Sequence, residues 1–246
     1  MPYSAIAFIS ILLFSAIHFW AEKIRGIGIL PASRFLSTGS GVAIAYVFID
    51  LLPKLSLSDE LVKAKLREFF PYIEHHVYIM ALLGFVLFFI VDKSKTLLQN
   101  QTIYFWLSLS SYALFNFLVG YAVVDKDNPE VQPLVLFTIA MGLHYFMNDY
   151  SLCAAHGDEY RRSGKWCLIA SLFFGWFIGV WVELSTMAIA LVSAFIGGGV
   201  IMNVTRHELP EENPNSLGAF LFGTVAYSII LLSLSFTKYV YMPAAV

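Results

Sequence analysis

The stretch Val131-Gln-Pro-Leu-Val-Leu-Phe-Thr-Ile-Ala-Met-Gly-Leu-His144-Tyr-Phe-Met-Asn148-Asp149-Tyr-Ser-Leu152 decides the fold class of this chain. It is long and apolar enough to cross a lipid bilayer, yet it has an imidazole, an amide and a carboxylate near its inner end. An ionisable group in hydrocarbon costs about 3 kcal/mol or more, so it marks a pathway or a site by default. Asn116 interrupts the preceding apolar stretch in the same way. Both stretches therefore predict membrane helices that carry functional groups.

The composition supports a membrane protein over the whole length of the chain. Of the 246 residues, 59% are hydrophobic and 13% are charged, against about 25% charged residues in a soluble domain. The mean hydropathy is +0.73. The net charge of -2 gives no indication of a nucleic-acid partner. No phosphate-binding glycine loop and no His-Glu-x-x-His helix is present, so we do not expect an enzyme.

Eight segments satisfy the requirement of roughly 17 to 25 mostly apolar residues for a membrane-spanning helix. They predict an all-α polytopic protein with one transmembrane domain over residues 1–246. The predicted helices cover residues 4–20, 35–52, 72–91, 102–124, 131–152, 166–182, 185–204 and 217–239. The longest connection, 53–71, mixes leucines with charges and predicts a short helix at the membrane interface.

The basic residues of the loops predict the orientation. With the N-terminus outside, nine Lys and Arg side chains fall on the inner side and six on the outer side. Because Lys and Arg accumulate in cytoplasmic loops, this bias favours both termini on the outer side. The sequence therefore predicts a multi-pass protein of the cell membrane.

The ends of the second and seventh predicted helices repeat one another. Aligned without gaps, the stretches 41–53 and 198–210 are identical at Gly41/Gly198, Ile44/Ile201, Val47/Val204, Leu52/Leu209 and Pro53/Pro210. These two helices run in opposite directions in an eight-helix layout. Helices one to three and six to eight would then form an inverted repeat, which is typical of secondary transporters.

Four stretches resemble the ZIP (Zrt/Irt-like) family of divalent-metal transporters, from residue 35 to about residue 232. They are Asp50-Leu-Leu-Pro53, Leu114-Phe-Asn116-Phe-Leu-Val-Gly120, His144-Tyr-Phe-Met-Asn148-Asp149, and Gly197-Gly-Gly-Val-Ile-Met-Asn203 through Glu208-Leu-Pro-Glu211. The resemblance implies eight transmembrane helices in a 3+2+3 inverted-repeat arrangement with both termini outside. It also implies transport of a divalent metal cation (zinc, iron or manganese) by alternating access.

The resemblance further implies a metal site between the fourth and fifth helices. Its ligands here would be His144 and Asp149, with Asn148 and Asn116 as auxiliary ligands and Asp50 as an outer guide. The family pattern has a His where Phe115 stands, an acid where Val119 stands and a Glu where Tyr145 stands. The depleted set favours one ion with water completing its shell. His144 and Asn148 share a helix face, and Asp149 lies about 140° further round than His144.

Each candidate also has a purely structural interpretation. Asn and His side chains often hydrogen-bond between membrane helices, and charge near a helix end is tolerated through snorkelling. The second interpretation applies to Asp50 and to His207 with Glu208, which would otherwise be entry and exit ligands. Weaker candidates for metal capture or pH sensing are Glu74, His75, His76, His18 and His156.

The alternative function is that of a transport-inactive protein with the ZIP fold, which acts as a structural or assembly subunit of a larger membrane complex. The expected partners are membrane lipid, a divalent metal ion as substrate, and a homodimer or larger membrane complex. No tightly bound cofactor and no nucleic acid is expected.

Overall fold

The structure, a computed structural model, describes residues 3–27, 32–66, 75–97, 100–124, 131–205 and 214–241. All its regular elements in these ranges are helical. The helices are α1 (Tyr3–Ile27), α2 (Ala32–Tyr46), α3 (Leu52–Leu66), α4 (His76–Leu97), α5 (Gln101–Ala122), α6 (Val131–Ala155), α7 (Gly157–Glu159), α8 (Lys165–Trp181), α9 (Thr186–Asn203) and α10 (Pro214–Tyr241). Two π-helical turns, Val47–Leu51 and Tyr160–Gly164, join α2 to α3 and α7 to α8.

The all-helical class predicted from hydropathy is confirmed for the described residues, and the described part of each of the eight predicted segments falls mainly on helix. Within the described ranges, six helical stretches are long and apolar enough to cross a membrane, as in a multi-pass membrane protein. They are Tyr3–Ala21, Ser37–Glu60, His76–Ser94, Gln101–Ala122, Gly157–Trp181 and Thr186–Asn203. The 25-residue α6 is not among them, because its imidazole, amide and carboxylate lower its hydropathy. The apolar stretch Leu217–Ser233 of α10 is shorter.

The helix that begins with α2 does not stop at Pro53. In the π-helical turn, the Leu52 N–H donates to the carbonyl of Val47, five residues back. Because proline has no N–H and its ring crowds the preceding turn, this wider turn lets the chain pass Pro53 without breaking. A helix therefore covers 53–66, as predicted, but it continues α2 and packs on α4 and α9. Residues 67–71 of the predicted helix lie outside the described residues.

Helix α1 presents one stripe to the protein interior and another to its surroundings. The buried stripe has helical spacing and consists of Ala7, Ile11, Phe14, His18 and Ala21. The outward stripe is apolar and includes Phe8, Ile9, Leu12 and Leu13, each at least one third exposed. An apolar outer surface of this kind is what lipid contact requires. The inner stripe places His18 among the neighbouring helices.

Helices α1, α5, α6 and α8 form one packed group, whereas α2 packs mainly on α10 and α4 mainly on α9. Contacts between α1 and α6 advance in the same direction along both helices: Ser10 Oγ lies 2.8 Å from Thr138 Oγ1, and His18 contacts Asp149 further on. The Tyr3 hydroxyl donates to the carbonyl of Val123, just beyond α5. Helix α1 therefore runs parallel to α6 and antiparallel to α5.

The α2–α10 and α9–α4 pairs cross in the same way. A Cβ on Gly41 would collide with the carbonyl of Phe220, and a Cβ on Gly198 with the carbonyl of Ala81. The crossings are reciprocal, because Gly223 faces the carbonyl of Thr38 and Gly84 faces that of Phe195. In both crossings the facing carbonyl lies three residues before the partner's glycine. The pairing of Gly41 with Gly198 seen in the sequence therefore extends to two equivalent helix crossings.

We expect Gly198→Ala to lower the free energy of unfolding by about 1–3 kcal/mol, because the added methyl group forces the α4 and α9 backbones apart. The thermal unfolding midpoint in detergent measures this change. Gly218→Ala on α10 is the matched control, since its Cβ would meet nothing within 4 Å. That control should leave stability unchanged or raise it by up to about 1 kcal/mol through the better helix propensity of alanine. An equal loss in both variants would contradict close packing at Gly198.

Candidate functional site

Three helices bring an imidazole, a carboxylate and an amide together inside the α1–α5–α6–α8 group. His18 Nδ1 lies 2.7 Å from Asp149 Oδ2, and His18 Nε2 lies 2.8 Å from Asn116 Oδ1. The three residues are 1%, 0% and 2% exposed, respectively. We call His18, Asp149 and Asn116 the central cluster. It contains two of the five predicted ligands, from the two helices on which they were predicted.

The orientation of the Asn116 amide is fixed by its own helix. Its Nδ2 donates to the Tyr112 carbonyl, four residues earlier, at 2.8 Å. The oxygen of the amide therefore points at His18 Nε2. The other ring nitrogen faces a carboxylate oxygen, so both nitrogens of His18 face hydrogen-bond acceptors.

Aromatic rings enclose the central cluster. The Tyr145 ring lies 4.9 Å from the His18 ring and 5.1 Å from the Phe14 ring, in an edge-to-face arrangement with Phe14. The Tyr160 hydroxyl, from the π-helical turn before α8, donates to the His18 carbonyl at 3.1 Å. Two buried polar atoms, Tyr145 Oη and Asp149 Oδ1, have no hydrogen-bond partner among the described residues. The cluster is thus enclosed, and one oxygen of its own carboxylate, Asp149 Oδ1, makes no hydrogen bond within the described residues.

The other two predicted ligands of α6 form a separate pair. His144 Nε2 and Asn148 Nδ2 are 3.1 Å apart, which confirms that these residues share a helix face. The Phe115 ring packs against the His144 ring at 5.7 Å. An apolar ring therefore lies beside His144 at the position where the ZIP resemblance has a further ligand.

Asp50, the predicted outer guide, lies in the π-helical turn between α2 and α3 and forms an ion pair with Lys54. Lys54 Nζ lies 2.7 Å from Asp50 Oδ2, and the side chains are 50% and 18% exposed. Because the helix continues past Pro53, this pair lies within a helix and not at its end, so tolerance of charge at a helix end does not explain it. An exposed pair at this spacing contributes at most about 0.5 kcal/mol to stability.

The predicted ligand set does not form one cluster. Among the described residues, no three His, Cys, Asp or Glu side chains lie close enough together to hold a metal ion. Val119, where the ZIP resemblance has an acid, is completely buried. Asp149 and Asn116 both contact the His18 imidazole, so a cation at Asp149 requires His18 to turn away or to become a ligand itself.

Of the weaker candidates other than His18, those that the structure describes lie apart from the central cluster. Asp59 Oδ1 accepts the Val77 N–H at the start of α4, and its Oδ2 lies 3.5 Å from His75 Nδ1. His76 is buried beside them, with neither ring nitrogen in a hydrogen bond within the described part of the chain. His156 packs between aromatic rings of α5. Glu74, His207 and Glu208 lie outside the described residues.

His18 is the site residue to which the sequence assigns too little weight. It is the only ionisable side chain between Tyr3 and Ala21, and such a residue within an apolar span marks a site by default. That signal was available in the sequence, but the position of His18 near a helix end favoured the structural interpretation.

No family model matches this chain, and no curated protein is similar enough in sequence to count as a relative.

Proposed function

We propose that this chain is a ZIP-like membrane transporter that moves a divalent cation (zinc, iron or manganese) by alternating access. The arrangement proposed is eight transmembrane helices in a 3+2+3 inverted repeat, with both termini on the outer side. The observation that supports it best is the convergence of Asp149 and Asn116, fully buried, from α6 and α5. These are the helices on which the resemblance places the transported metal.

The energetic cost of the central cluster favours a function over simple packing. A carboxylate inside an apolar helix group is expensive, and apolar residues of similar volume are often as stabilising as a buried ion pair. A protein that needs only helix contacts has a cheaper solution in the same helix group, between α5 and α8, where Gly120 and Gly175 allow backbone contact. The retained charge is therefore better explained by transport of a cation.

The chemistry of the residues suits a borderline divalent metal. Asp149 offers a carboxylate whose Oδ1 has no partner among the described residues, and Asn116 offers an amide oxygen. His18 and His144 offer imidazole nitrogens, which zinc, iron and manganese sites commonly use. In the proposed cycle the α1–α5–α6–α8 group, which carries these ligands, rocks against the α2–α10 and α4–α9 pairs.

The test is metal flux into proteoliposomes that contain a fluorescent chelator, with Zn²⁺, Fe²⁺ and Mn²⁺ added separately. Asp149→Asn should lower the flux at least about tenfold, because loss of one charged ligand removes about 1.4 kcal/mol or more of binding free energy. Asp158→Asn, at an exposed carboxylate of α7, is the matched control and should transport normally. Absence of flux for all three metals in the unmodified protein would reject metal transport.

A second function, that of a structural or assembly subunit, is favoured by one observation. His18 contacts Asp149 and Asn116 within the cluster, so these side chains already have partners inside the protein. Among the described residues, no three His, Cys, Asp or Glu side chains are grouped so that they could hold a metal ion. Purification in mild detergent followed by elemental analysis distinguishes the two functions. A stable partner protein without bound metal supports the subunit, whereas a metal-loaded protein without a partner supports the transporter.

A further inference from the structure

Two lysines from different helices place their ammonium groups over one aromatic ring. Lys23 Nζ lies 5.8 Å from the centre of the Phe19 ring, and Lys165 Nζ lies 5.1 Å from the centre of the same ring. Lys23 follows Phe19 by four residues on α1, so helical spacing alone explains the first contact. Lys165 belongs to α8 and also lies 5.6 Å from the centre of the Trp166 ring, so helix packing brings the second ammonium group to Phe19. We call Lys23, Lys165, Phe19 and Trp166 the lysine cluster.

The lysine cluster lies at the end of an apolar span. Helix α8 runs antiparallel to α1, because Phe8 packs on Trp176 with ring centres 5.1 Å apart, and Phe19 packs on Trp166 with ring centres 5.8 Å apart. The lysine of α8 is therefore level with the end of the apolar stretch Tyr3–Ala21. The Phe19 and Trp166 side chains are 36% and 53% exposed, respectively. Exposed tryptophan beside lysine is typical of the boundary between membrane and water.

The aromatic rings attract the two ammonium groups but do not neutralise them. A ring has a quadrupole and no net charge, so a cation over its face keeps its full charge. Within the described part of the chain, neither Lys23 nor Lys165 forms an ion pair with a carboxylate. The lysine cluster therefore carries two positive charges that an anion from outside the protein can balance.

The position and the charges of the lysine cluster suit the phosphate of a phospholipid. Each ammonium group has three N–H donors on a long flexible stem, so two of them can reach the acceptor oxygens of one phosphate. Lys23 is exposed and Lys165 is half-buried, so both can meet a ligand at the surface. Phe8 and Leu12 lie on the same face of α1 as Phe19 by helical spacing, and they are 39% and 46% exposed. This apolar face can contact acyl chains, which a free phosphate does not have.

We propose that the lysine cluster binds the headgroup phosphate of an anionic phospholipid, whose acyl chains lie along the exposed face of α1. The phosphate accepts hydrogen bonds from both ammonium groups and so joins α1 to α8. An anionic headgroup is preferred, because the positive group of a zwitterionic headgroup would lie beside the two lysines. The loop charges predict that this end faces the inner side, where anionic lipids attract basic residues. The site does not depend on transport, so its test and the metal-flux test can fail separately.

The first experiment measures lipid binding by native mass spectrometry of the full chain in detergent, with phosphatidylglycerol or phosphatidylcholine of equal chain length. We expect tighter binding of phosphatidylglycerol, and a loss of about thirtyfold in its affinity when Lys23→Gln and Lys165→Gln are combined, since each basic residue near the surface contributes about fivefold. Lys93→Gln is the matched control, because Lys93 Nζ lies 5.7 Å from the centre of the Phe89 ring without a second lysine over that ring among the described residues. Equal affinity for the two lipids, or an equal loss in Lys93→Gln, would overturn the site.

The second experiment separates the phosphate from other causes of lost binding. Lys23→Arg combined with Lys165→Arg keeps both positive charges and should retain phosphatidylglycerol binding, whereas a loss equal to that of the glutamine variant would contradict recognition by charge. Inorganic phosphate added in excess should not displace phosphatidylglycerol, because it makes no contact with the apolar face of α1. Complete displacement by inorganic phosphate would show a site for free phosphate and would overturn the lipid site.

Discussion

His18→Leu should lower the free energy of unfolding by about 3–5 kcal/mol, because it leaves Asp149 as a buried charge without its partner. The carboxylate is completely buried, and its Oδ1 already lacks a hydrogen bond within the described residues. Asp149→Leu alone should cost less, since it leaves no buried carboxylate without a partner and His18 Nε2 keeps its hydrogen bond to Asn116. Chemical unfolding in detergent, followed by tryptophan fluorescence, measures both changes.

The double variant His18→Leu with Asp149→Leu should recover most of the stability lost in His18→Leu, because apolar contacts of the two leucines replace the buried His18–Asp149 contact. The residual loss is the hydrogen bond of Asn116 Oδ1, worth about 1 kcal/mol. A double variant as unstable as His18→Leu would contradict the pairing of these two side chains.

The same double variant also distinguishes the two proposed functions. A transporter keeps its fold but loses metal flux, since both the carboxylate and its imidazole partner are gone. An assembly subunit should keep its complex, because the central cluster is buried inside the protein and cannot contact a partner. Flux at the unmodified rate in the folded double variant would remove the cluster from the transport pathway.

Phe115→His should raise the affinity for Zn²⁺ at least about tenfold, equivalent to about 1.4 kcal/mol, by adding an imidazole beside His144. The Phe115 and His144 rings lie 5.7 Å apart, and one zinc ion binds two imidazoles with Zn–N distances of about 2.0–2.1 Å. Tighter binding slows release, so we expect metal flux to fall while affinity rises. Competition with a fluorescent chelator measures the affinity.

The control for this gain of affinity is Phe88→His. Phe88 is also buried and packs edge-to-face on Phe115, but from α4. The Phe88→His variant introduces the same imidazole into the core. Among the described ring contacts, Phe88 contacts the Phe115 ring but not the His144 ring. An equal increase of affinity in both variants would show that added imidazole, and not the position beside His144, causes the effect.

The sequence predicted the positions of the helices well, because long apolar runs are readable without knowledge of packing. It also predicted that His144 and Asn148 share a helix face, which follows from helical periodicity alone. Asp149 lies on a different face of α6, as its angular offset from His144 requires, and it contacts His18 of α1. Local geometry was therefore predictable, whereas the partner of Asp149 was not.

The partners of His18 could not be predicted, because both faces of α1 are apolar. In a soluble helix, the alternation of polar and apolar residues shows which face is buried. Here the outward residues Leu12 and Leu13 are as hydrophobic as the inward Ile11 and Phe14, so the sequence does not orient the helix. Only its packing against α5 and α6 shows that His18 faces Asn116 and Asp149. The sequence also did not predict that the helix continues past Pro53, because a π-helical turn has no simple sequence signature.

The contact between α2 and α6 has a consequence for motion. At the glycine crossing between α2 and α10 the two backbones are in direct contact, with no side chain between them that could change rotamer. We therefore expect α2 and α10 to move as one rigid unit. Where α2 meets α6, Met147 Sδ lies 4.0 Å from Ser40 Oγ and would lie 3.1 Å from a Cβ on Gly39. An unbranched thioether beside a residue without a side chain offers little resistance to sliding. We therefore expect α6 to slide past α2 at the Met147 contact. A branched side chain in place of Met147 should slow conformational exchange.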